Sequence, residues 1–277
     1  MFDHLNTRIP KRIEQEKEKV SVVLIPLIKK DGKYLAGDSR GWSLSSARNK
    51  IGGNVHSNFI QKIDYRPFDT RYIYYSTNMV DWGREKYIQH ILKNDNLSLV
   101  LGRQSTDEFW SNVQISNNMI DNRYHFSYKG IPSQFPLYLY PETTTQQTLD
   151  GNTERTPNLN PEIVKQIEEG LGIAFVSEKE HTPNPSQEGN KTFAPIDLLD
   201  YIYAVLHSPS YREKYKEFLK IDFPRVPYPT SLSKFQTLTK LGSELRQIHL
   251  LESPVVEDFI TQYPEDGTNI VGKLYYE

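Results

Sequence analysis

The sequence contains no cysteine among its 277 residues, which excludes disulfides, thiolate zinc sites and cysteine nucleophiles together. No apolar run approaches the length of a membrane span, and the first residues lack the apolar core of a secretory signal. These absences predict a soluble, globular and cytoplasmic protein with no membrane partner.

Signatures of catalysis are also missing. The seven histidines are scattered, and none forms a pair at i, i+3 or i, i+4 with metal-ligand spacing. No G-x-S-x-G, P-loop or G-x-G-x-x-G motif occurs, and carboxylate pairs such as Asp107 and Glu108 are more often solvated turns than catalytic groups. We therefore expect no cofactor and no metal in this chain. A binding module is favoured over an enzyme, although elimination alone leaves that choice open.

The net charge of −2 hides a segregation of charge along the chain. Residues 1–58 sum to +5 and 59–141 to +1, whereas 142–190 sum to −6, 191–249 to +3 and 250–277 to −5. Segregation of this kind lets a basic face meet phosphates while acidic segments point elsewhere.

The densest apolar and aromatic stretch runs from residue 194 to residue 229. Pro195 suits a first helical position and Asp197 complements the helix dipole, so a helix is predicted over 195–207. Most of its sides are apolar or aromatic, and we expect it to be the central helix of the core. Ser208 and Pro209 restart a helix, amphipathic and at the surface, to about Lys220. The alternating prolines of 222–229 predict a stiff, extended connector.

Other patterns predict the rest of the elements. Extended segments are expected over 20–36 (a hairpin), 65–75, 97–102, 113–115, 135–141, 173–176 and 268–276, and helices over 82–93, 161–170 and 233–250. The inward face of the last helix is predicted to carry Phe235, Leu238, Leu241, Leu245 and Ile248. The polar composition of 142–160 predicts a mobile loop.

These elements predict an α+β fold, with a mainly antiparallel sheet region followed by a helical C-terminal part. We divide the chain into an N-terminal arm and hairpin (1–58), a mixed sheet part that includes the 142–160 loop (59–190), and a helical part with a C-terminal strand (191–277).

The middle segment interleaves cationic and hydrogen-bonding side chains with tyrosine and phenylalanine. Arginine and glutamine read guanine and adenine edges, whereas lysine and serine suit phosphates. The candidates for DNA contact here are Arg66, Arg71, Arg84, Lys86, Arg103, Gln104, Ser105 and Lys129. For any one of them a surface charge or an internal ion pair, such as Arg66 with Asp69, is the more frequent explanation.

Several motifs carry a family resemblance over about residues 40–250. They are Y-R-P-F-D (65–69), L-G-R-Q-S (101–105), F-P-L-Y-L-Y-P (135–141), P-N-L-N (157–160), H-S-P-S-Y-R-E-K-Y (207–215) and L-K-I-D-F-P-R (219–225). In this order they resemble the C-terminal target-recognition domain of single-chain type ISP and type IIL restriction–modification enzymes, which are N6-adenine DNA methyltransferases. The methyltransferase, nuclease and helicase motifs of those enzymes do not occur in this sequence.

The resemblance implies sequence-specific recognition of double-stranded DNA, in partnership with a methyltransferase domain or subunit. S-adenosylmethionine and Mg²⁺ would belong to the parent enzyme's other domains. By this resemblance Arg103, Gln104 and Ser105 are the candidates for base readout, while Arg212, Lys214 and Lys216 on the polar face of the 209–220 helix face either phosphate or water.

Two other functions stay open. A docking or scaffold subunit would bind a separate methyltransferase through its tyrosine-rich surface and contact DNA little alone. An independent small enzyme is the third possibility, and the sequence supports it least. A steep salt dependence of DNA binding separates recognition from docking.

Overall fold

A computed structural model of the protein describes residues 43–51, 57–76, 78–80, 83–92, 96–105, 110–125, 131–141, 155–178 and 192–260. The α-helices of these residues are α1 (Leu44–Ile51), α2 (Glu85–Ile88), α3 (Pro161–Leu171), α4 (Pro195–His207), α5 (Pro209–Leu219) and α6 (Leu232–His249). The strands are β1 (Ile60–Arg66), β2 (Asp69–Tyr74), β3 (Ser98–Gly102), β4 (Val113–Ser116), β5 (Met119–Ile120), β6 (Pro132–Pro136), β7 (Tyr138–Leu139), β8 (Thr156–Pro157), β9 (Ala174–Phe175) and β10 (Thr192–Phe193). No helix in the described ranges has both the length and the apolar character to cross a membrane.

Helix α4 begins and ends where the sequence predicts. Pro195 occupies the first helical position, and the Asp197 carboxylate accepts a hydrogen bond of 2.9 Å from the backbone N–H of Ala194. The chain leaves α4 at Ser208, whose hydroxyl accepts a hydrogen bond from the N–H of Tyr211 and so caps α5. The two helices therefore meet at one residue that serves both as the end of α4 and as the cap of α5.

The core is built around α4, as its composition predicts. Tyr203 and Leu206 are fully buried, and they belong to one continuous cluster with side chains from β3, β4, α3, α5 and α6. Phe193 and Phe235 bring their ring centroids to 5.8 Å in an edge-on contact at the start of α4 and α6. This cluster joins the helical part to the sheet.

Helix α6 approaches α4 most closely at Gly242. A Cβ atom at that position would lie 1.9 Å from the carbonyl oxygen of Asp200 and 2.6 Å from its carbonyl carbon. Only a residue without a side chain lets the two helix backbones come this near. Gly242 therefore sets the distance between α4 and α6.

A buried ion pair joins the same two helices. The Arg246 guanidinium donates from Nε to Asp200 Oδ1 at 2.7 Å and from Nη2 to Asp200 Oδ2 at 3.1 Å, a bidentate geometry. Burial raises the pKa of Asp200, and the Arg246 guanidinium opposes that rise by favouring the carboxylate. The pair fixes the rotation of α6 about its axis relative to α4.

The main sheet has the order β4-β3-β6 and is antiparallel throughout. Its central strand β3 is buried at every residue, in agreement with the strand predicted over 97–102. Strand β6 lies at an edge, where its prolines remove no hydrogen bond from an inner ladder. The end of β3 is thus a rigid platform for the residues that follow it.

A second sheet has the order β2-β1-β5, with β1 and β2 antiparallel and β5 parallel to β1. The extended segment predicted over 65–75 contains the strand β2 after Pro67, but Pro67 and Phe68 form the turn of a hairpin whose first strand already contains Tyr65 and Arg66. A register shift between Asp64 and Arg66 leaves Tyr65 as a β-bulge. Two short ladders, β7 with β8 and β9 with β10, complete the strand pairing of the described residues.

The α+β class with a helical C-terminal part is confirmed, and local departures have physical causes. Of the helix predicted over 82–93, the described residues 83–92 contain only the single turn α2. Arg84 before it has a left-handed backbone conformation, and after it the N–H groups of His90 and Ile91 bond the carbonyls three residues back, as in a 3-10 turn. Leu241 is 52% exposed rather than inward, since Gly242 occupies the inner face at that turn.

The predicted loop 142–160 also differs in its last residues. Thr156 and Pro157 pair with β7, and Asn160 caps α3 through hydrogen bonds from the N–H groups of Glu162 and Ile163. Residues 142–154 lie outside the described residues, as do the hairpin predicted over 20–36 and the strand over 268–276.

We expect Gly242→Ala to lower the free energy of unfolding by about 2 kcal/mol or more, because the new methyl group forces the backbones of α4 and α6 apart. The gain in helix propensity, about 1 kcal/mol, offsets part of that loss. Chemical denaturation of both proteins measures the difference. Leu241→Ala is the control at the neighbouring exposed position, and equal stability of the Gly242→Ala protein and the wild type would contradict the close contact.

We expect Arg246→Met to cost about 3–5 kcal/mol of stability, because it leaves the Asp200 carboxylate buried without an opposite charge. Asp200→Leu combined with Arg246→Met should lose less than Arg246→Met alone, since neither charge then remains buried. Lys216→Met removes an exposed pair with Glu213 and serves as the control with little effect. A double variant no more stable than the single one would argue against this account.

Candidate nucleic-acid interface

Arg103 and Gln104 lie on the surface directly after β3 ends at Gly102. Both are exposed, and both reach the end of α5: Arg103 Nε lies 3.2 Å from Asp222 Oδ1, and Gln104 Nε2 lies 3.5 Å from the carbonyl oxygen of Ile221. The N–H of Ser105 donates to the carbonyl oxygen of Lys220 at 3.3 Å, which ties this loop to the helix. The strand and the helix together hold the two side chains in place.

Ser105 itself does not share that exposure. It is only 4% exposed, so its hydroxyl lies beneath the surface that Arg103 and Gln104 present. The prediction of Ser105 as a direct DNA contact therefore does not fit its burial. Its backbone anchors the loop instead.

Asp222 orients Arg103. Its carboxylate accepts a hydrogen bond of 2.9 Å from the N–H of Phe223 as well as the one from Arg103. These bonds, first that of the Phe223 backbone and then that of Arg103, hold the pKa of Asp222 below its usual value, so the group is a carboxylate at neutral pH. Its ion pair with Arg103 is exposed on both sides, and water weakens such pairs.

Apolar side chains border this charged pair. Ile221 is 63% exposed, and Phe135 of β6 is 42% exposed and meets Phe223 edge-on at 5.8 Å between centroids. We call the patch formed by Arg103, Gln104, Phe135, Ile221 and Asp222 the β3-end surface. It combines hydrogen-bonding groups that match base edges with apolar groups that match a thymine methyl.

Arg66 and Arg71 form a second group, on the β1–β2 hairpin. Their guanidinium carbons lie 3.9 and 4.0 Å from the centroid of the Tyr65 ring. Arg66 pairs with Asp121 at 3.0 Å, and Arg71 forms a bidentate pair with Asp69. The internal ion pair considered between Arg66 and Asp69 is thus replaced by two others.

The remaining candidates of the middle segment lie elsewhere. Arg84 precedes α2 in a left-handed backbone conformation with φ 48°, and Lys86 lies within that helix; both are exposed. Lys129 lies outside the described residues. Arg84 and Lys86 belong to an element separate from the hairpin and from the β3-end surface.

The three cations predicted on one face of α5 are divided by the structure. Lys214 and Lys216 are exposed. Lys216 Nζ lies 2.7 Å from Glu213 Oε1, and Lys214 Nζ lies 5.3 Å from the centroid of the Tyr215 ring. Arg212 is half-buried and turns back towards the end of α4. The prediction that Arg212 shares the solvated face of Lys214 and Lys216 was therefore wrong.

Sequence reasoning missed Asp222, Ile221 and Arg225 as parts of this region. Arg225 is exposed on the proline-rich connector, with its guanidinium carbon 5.2 Å from the centroid of the Phe218 ring. The signal was present in the L-K-I-D-F-P-R motif, where apolar and charged residues alternate in a segment that has no regular secondary structure. Exposed Ile and Arg on a stiff connector are typical of a binding surface.

Two histidines meet where α4 and α6 end. The His207 and His249 rings lie 5.3 Å apart between centroids, and both contact the buried Tyr203. Burial lowers the pKa of His249, and burial together with the nearby Arg212 and His249 lowers that of His207 to about 4. Both rings are therefore neutral at pH 7, and the described residues contain no group of three side chains able to hold a metal ion.

Solved structures of similar fold include two complexes with DNA. A cryoEM structure of a DrdV–DNA complex is 21% identical, with a TM-score of 0.54 over 90% of this chain and 21% of that chain. The ATP-dependent Type ISP restriction–modification enzyme LlaBIII bound to DNA is 19% identical, with a TM-score of 0.54 over 85% of this chain and 14% of that one. At this identity the likeness concerns the fold, and this chain spans about a fifth or less of those proteins' length.

No curated protein matches this chain. The family model of the Type ISP C-terminal specificity domain matches residues 2–277, nearly the whole sequence. This agrees with the order of motifs from Y-R-P-F-D to L-K-I-D-F-P-R and with the fold built around α4. The chain belongs to the family of Type ISP C-terminal specificity domains.

Proposed function

We propose that this chain recognises a short sequence in double-stranded DNA on behalf of a restriction–modification enzyme that methylates adenine. Membership of the specificity-domain family supports this, as do the structures of two proteins of similar fold, both of which are complexes with DNA. The observation that carries the proposal within the chain is the exposed Arg103–Gln104 pair at the end of the buried strand β3.

The β3-end surface would read base edges in the major groove. Arginine binds guanine O6 and N7 with two hydrogen bonds, and glutamine binds adenine N6 and N7 in the same way. The bond between the Ser105 N–H and Lys220 ties the backbone of this loop to α5, so the positions from which Arg103 and Gln104 extend are fixed before they bind. Phe135 and Ile221 would contact thymine methyl groups beside them.

Phosphate contacts would then position the duplex without reading it. The exposed cations proposed for this role are Arg71, Arg84, Lys86, Lys214 and Lys216, together with Lys129 and the partly buried Arg66. Their carboxylate partners, where present, lie at the surface or near it, so that a phosphate competes for the same donors.

Catalysis would belong to other parts of the enzyme. This chain spans 21% and 14% of the two proteins of similar fold, which leaves most of their length to other domains. S-adenosylmethionine and Mg²⁺ would serve a methyltransferase and a nuclease outside this chain. The partner of this domain would accordingly be a methyltransferase domain or subunit.

A docking function is the second candidate, and one observation favours it. Beyond α6 the side chains of Leu251, Val255, Phe259 and Ile260 are all more than half exposed. Apolar groups in such numbers on one segment are typical of a surface that meets another protein. One domain can serve both docking and DNA recognition. The two functions differ in whether the domain binds DNA when no methyltransferase is present.

We expect selection from a random duplex pool at low salt to enrich a short asymmetric motif. Arg103→Ala and Gln104→Ala should each relax the preference at one or two base pairs, by about 1–3 kcal/mol of discrimination, or about 5- to 150-fold. Sequencing of the retained DNA measures both effects. Lys240→Ala and Gln166→Ala, which change exposed side chains of α6 and α3, are the matched controls. An unchanged motif in both β3-end variants would move base readout to another surface.

We expect the affinity of the chain for any duplex to fall steeply with salt, with a log–log slope near −0.9 for each phosphate contact. Fluorescence anisotropy of a labelled duplex at several salt concentrations gives that slope. Salt-sensitive binding with no enriched motif would mean that specificity needs the methyltransferase. No binding at low salt would contradict autonomous recognition and favour the docking function.

A further inference from the structure

Arg212 differs from the other well-anchored arginines of the chain. Arg66, Arg71, Arg103, Arg155 and Arg246 each pair with a carboxylate. Arg212 is half-buried, and no carboxylate lies within ion-pair distance of it among the residues that the structure describes. Partial burial of the Arg212 guanidinium costs desolvation free energy, and among the described residues no carboxylate lies close enough to offset that cost.

Two hydrogen bonds fix the guanidinium in place. Its Nε donates to the carbonyl oxygen of Leu206 at 2.6 Å, and its Nη2 lies 3.1 Å from Nδ1 of His207. The Leu206 carbonyl is one of the free C-terminal acceptors of α4, where the helix dipole supplies about half a negative charge. This interaction orients Arg212 but neutralises only part of its charge.

The surroundings of Arg212 are rich in donors. Because a guanidinium only donates, His207 Nδ1 must accept, and the proton of the neutral ring then sits on Nε2. That Nε2 atom is buried without a hydrogen-bond partner, and so is the indole Nε1 of Trp110, whose ring centroid lies 5.6 Å from the Arg212 guanidinium. Three of the five guanidinium N–H groups have no acceptor among the described residues.

We propose that Arg212 is an anion site whose ligand is a phosphodiester of the DNA backbone, an assignment that rests on the proposed function. A guanidinium presents a planar fork that matches two oxygens of one phosphate. The ligand would supply the full negative charge and the acceptors that this site lacks. Lys214 and Lys216, in contrast, are solvated and lose little when no phosphate is present.

The position of Arg212 suits a contact beside the β3-end surface. The loop that carries Arg103 and Gln104 is tied to Lys220 at one end of α5, and Arg212 lies near the other end. Eight residues of straight helix span about 12 Å, and the break in helical geometry at Tyr215 makes this an upper value for α5. At 3.4 Å per base pair this distance covers about three to four base pairs, so α5 would connect a phosphate contact to the readout of a short sequence.

The first measurement is thermal unfolding of the full chain in inorganic phosphate and in chloride at equal ionic strength. We expect phosphate to raise the unfolding midpoint of the wild type and of Lys240→Gln with increasing concentration, because it binds the folded state. Arg212→Gln should keep only the smaller, non-saturating rise that phosphate gives by exclusion from protein surfaces. Arg212→Lys keeps the charge without the fork and should retain only part of the wild-type rise. If phosphate has no effect on the wild type, or the same effect on the wild type and both Arg212 variants, the anion site is wrong.

The second measurement is DNA affinity as a function of salt. We expect Arg212→Gln to weaken binding about tenfold or more, for cognate and random duplexes alike. The salt slope should fall by about one, and the selected motif should stay unchanged, because a phosphate contact reads no base. Lys240→Gln is the control of equal charge change. If the phosphate effect depends on Arg212 but no duplex binds, the anion site stands while its DNA ligand and the proposed function are wrong. Wild-type affinity and slope in a folded Arg212→Gln protein would overturn the phosphodiester assignment alone.

Discussion

The close packing of α4 against α6 is the constraint on which the rest of the structure depends. Gly242 permits an approach that any side chain would prevent, and the Asp200–Arg246 pair fixes the orientation at that distance. An apolar helix such as α4 has no stable position in water, so it must be covered on several sides at once. Helix α6 covers one side, and the sheet, α3 and α5 cover the others. The ends of α4 and α5 are thereby held in defined places.

The many tyrosines of the chain find a structural use in this arrangement. Tyr201 donates its hydroxyl to the carbonyl oxygen of Pro227 at 3.0 Å, and Tyr211 donates to that of Arg225 at 2.8 Å. The connector between α5 and α6 has few backbone hydrogen bonds of its own, since proline has no N–H to donate. Buried tyrosines supply the missing donors while their rings fill the core. The connector is thus fixed from below, and its outer face is left available.

How much of this was predictable from the sequence depends on the kind of signal. Caps and prolines predict α4, α5 and α6 almost to the residue, because those signals are local. The inner face of α6 follows positions 235, 238, 242 and 245, but a glycine carries no apolar signal, so Leu241 was assigned there instead. Arg212 and Ser105 were placed wrongly for a related reason. Arg212 contacts Trp110, far away in the sequence, and Leu206, across the end of α4, and the backbone of Ser105 bonds the distant Lys220. None of these contacts has a local sequence signal. The pairing of Arg103 with Asp222 spans 119 residues and has no local signal.

The pairing of cations with carboxylates has a consequence for specificity. A domain with many unpaired surface cations would bind all DNA tightly, and the excess of random sites would then hide the correct one. Here Arg66, Arg71 and Arg103 are each held by an aspartate, so a phosphate must compete with a carboxylate for their donors. If Arg103 reads a guanine, the two acceptors O6 and N7 would replace its weak exposed pair with two hydrogen bonds, whereas a thymine would offer O4 alone and repay less of the pair that is lost. The aspartate would then set a cost that only a base with two acceptors repays in full, so discrimination would come from the carboxylate as well as from the arginine.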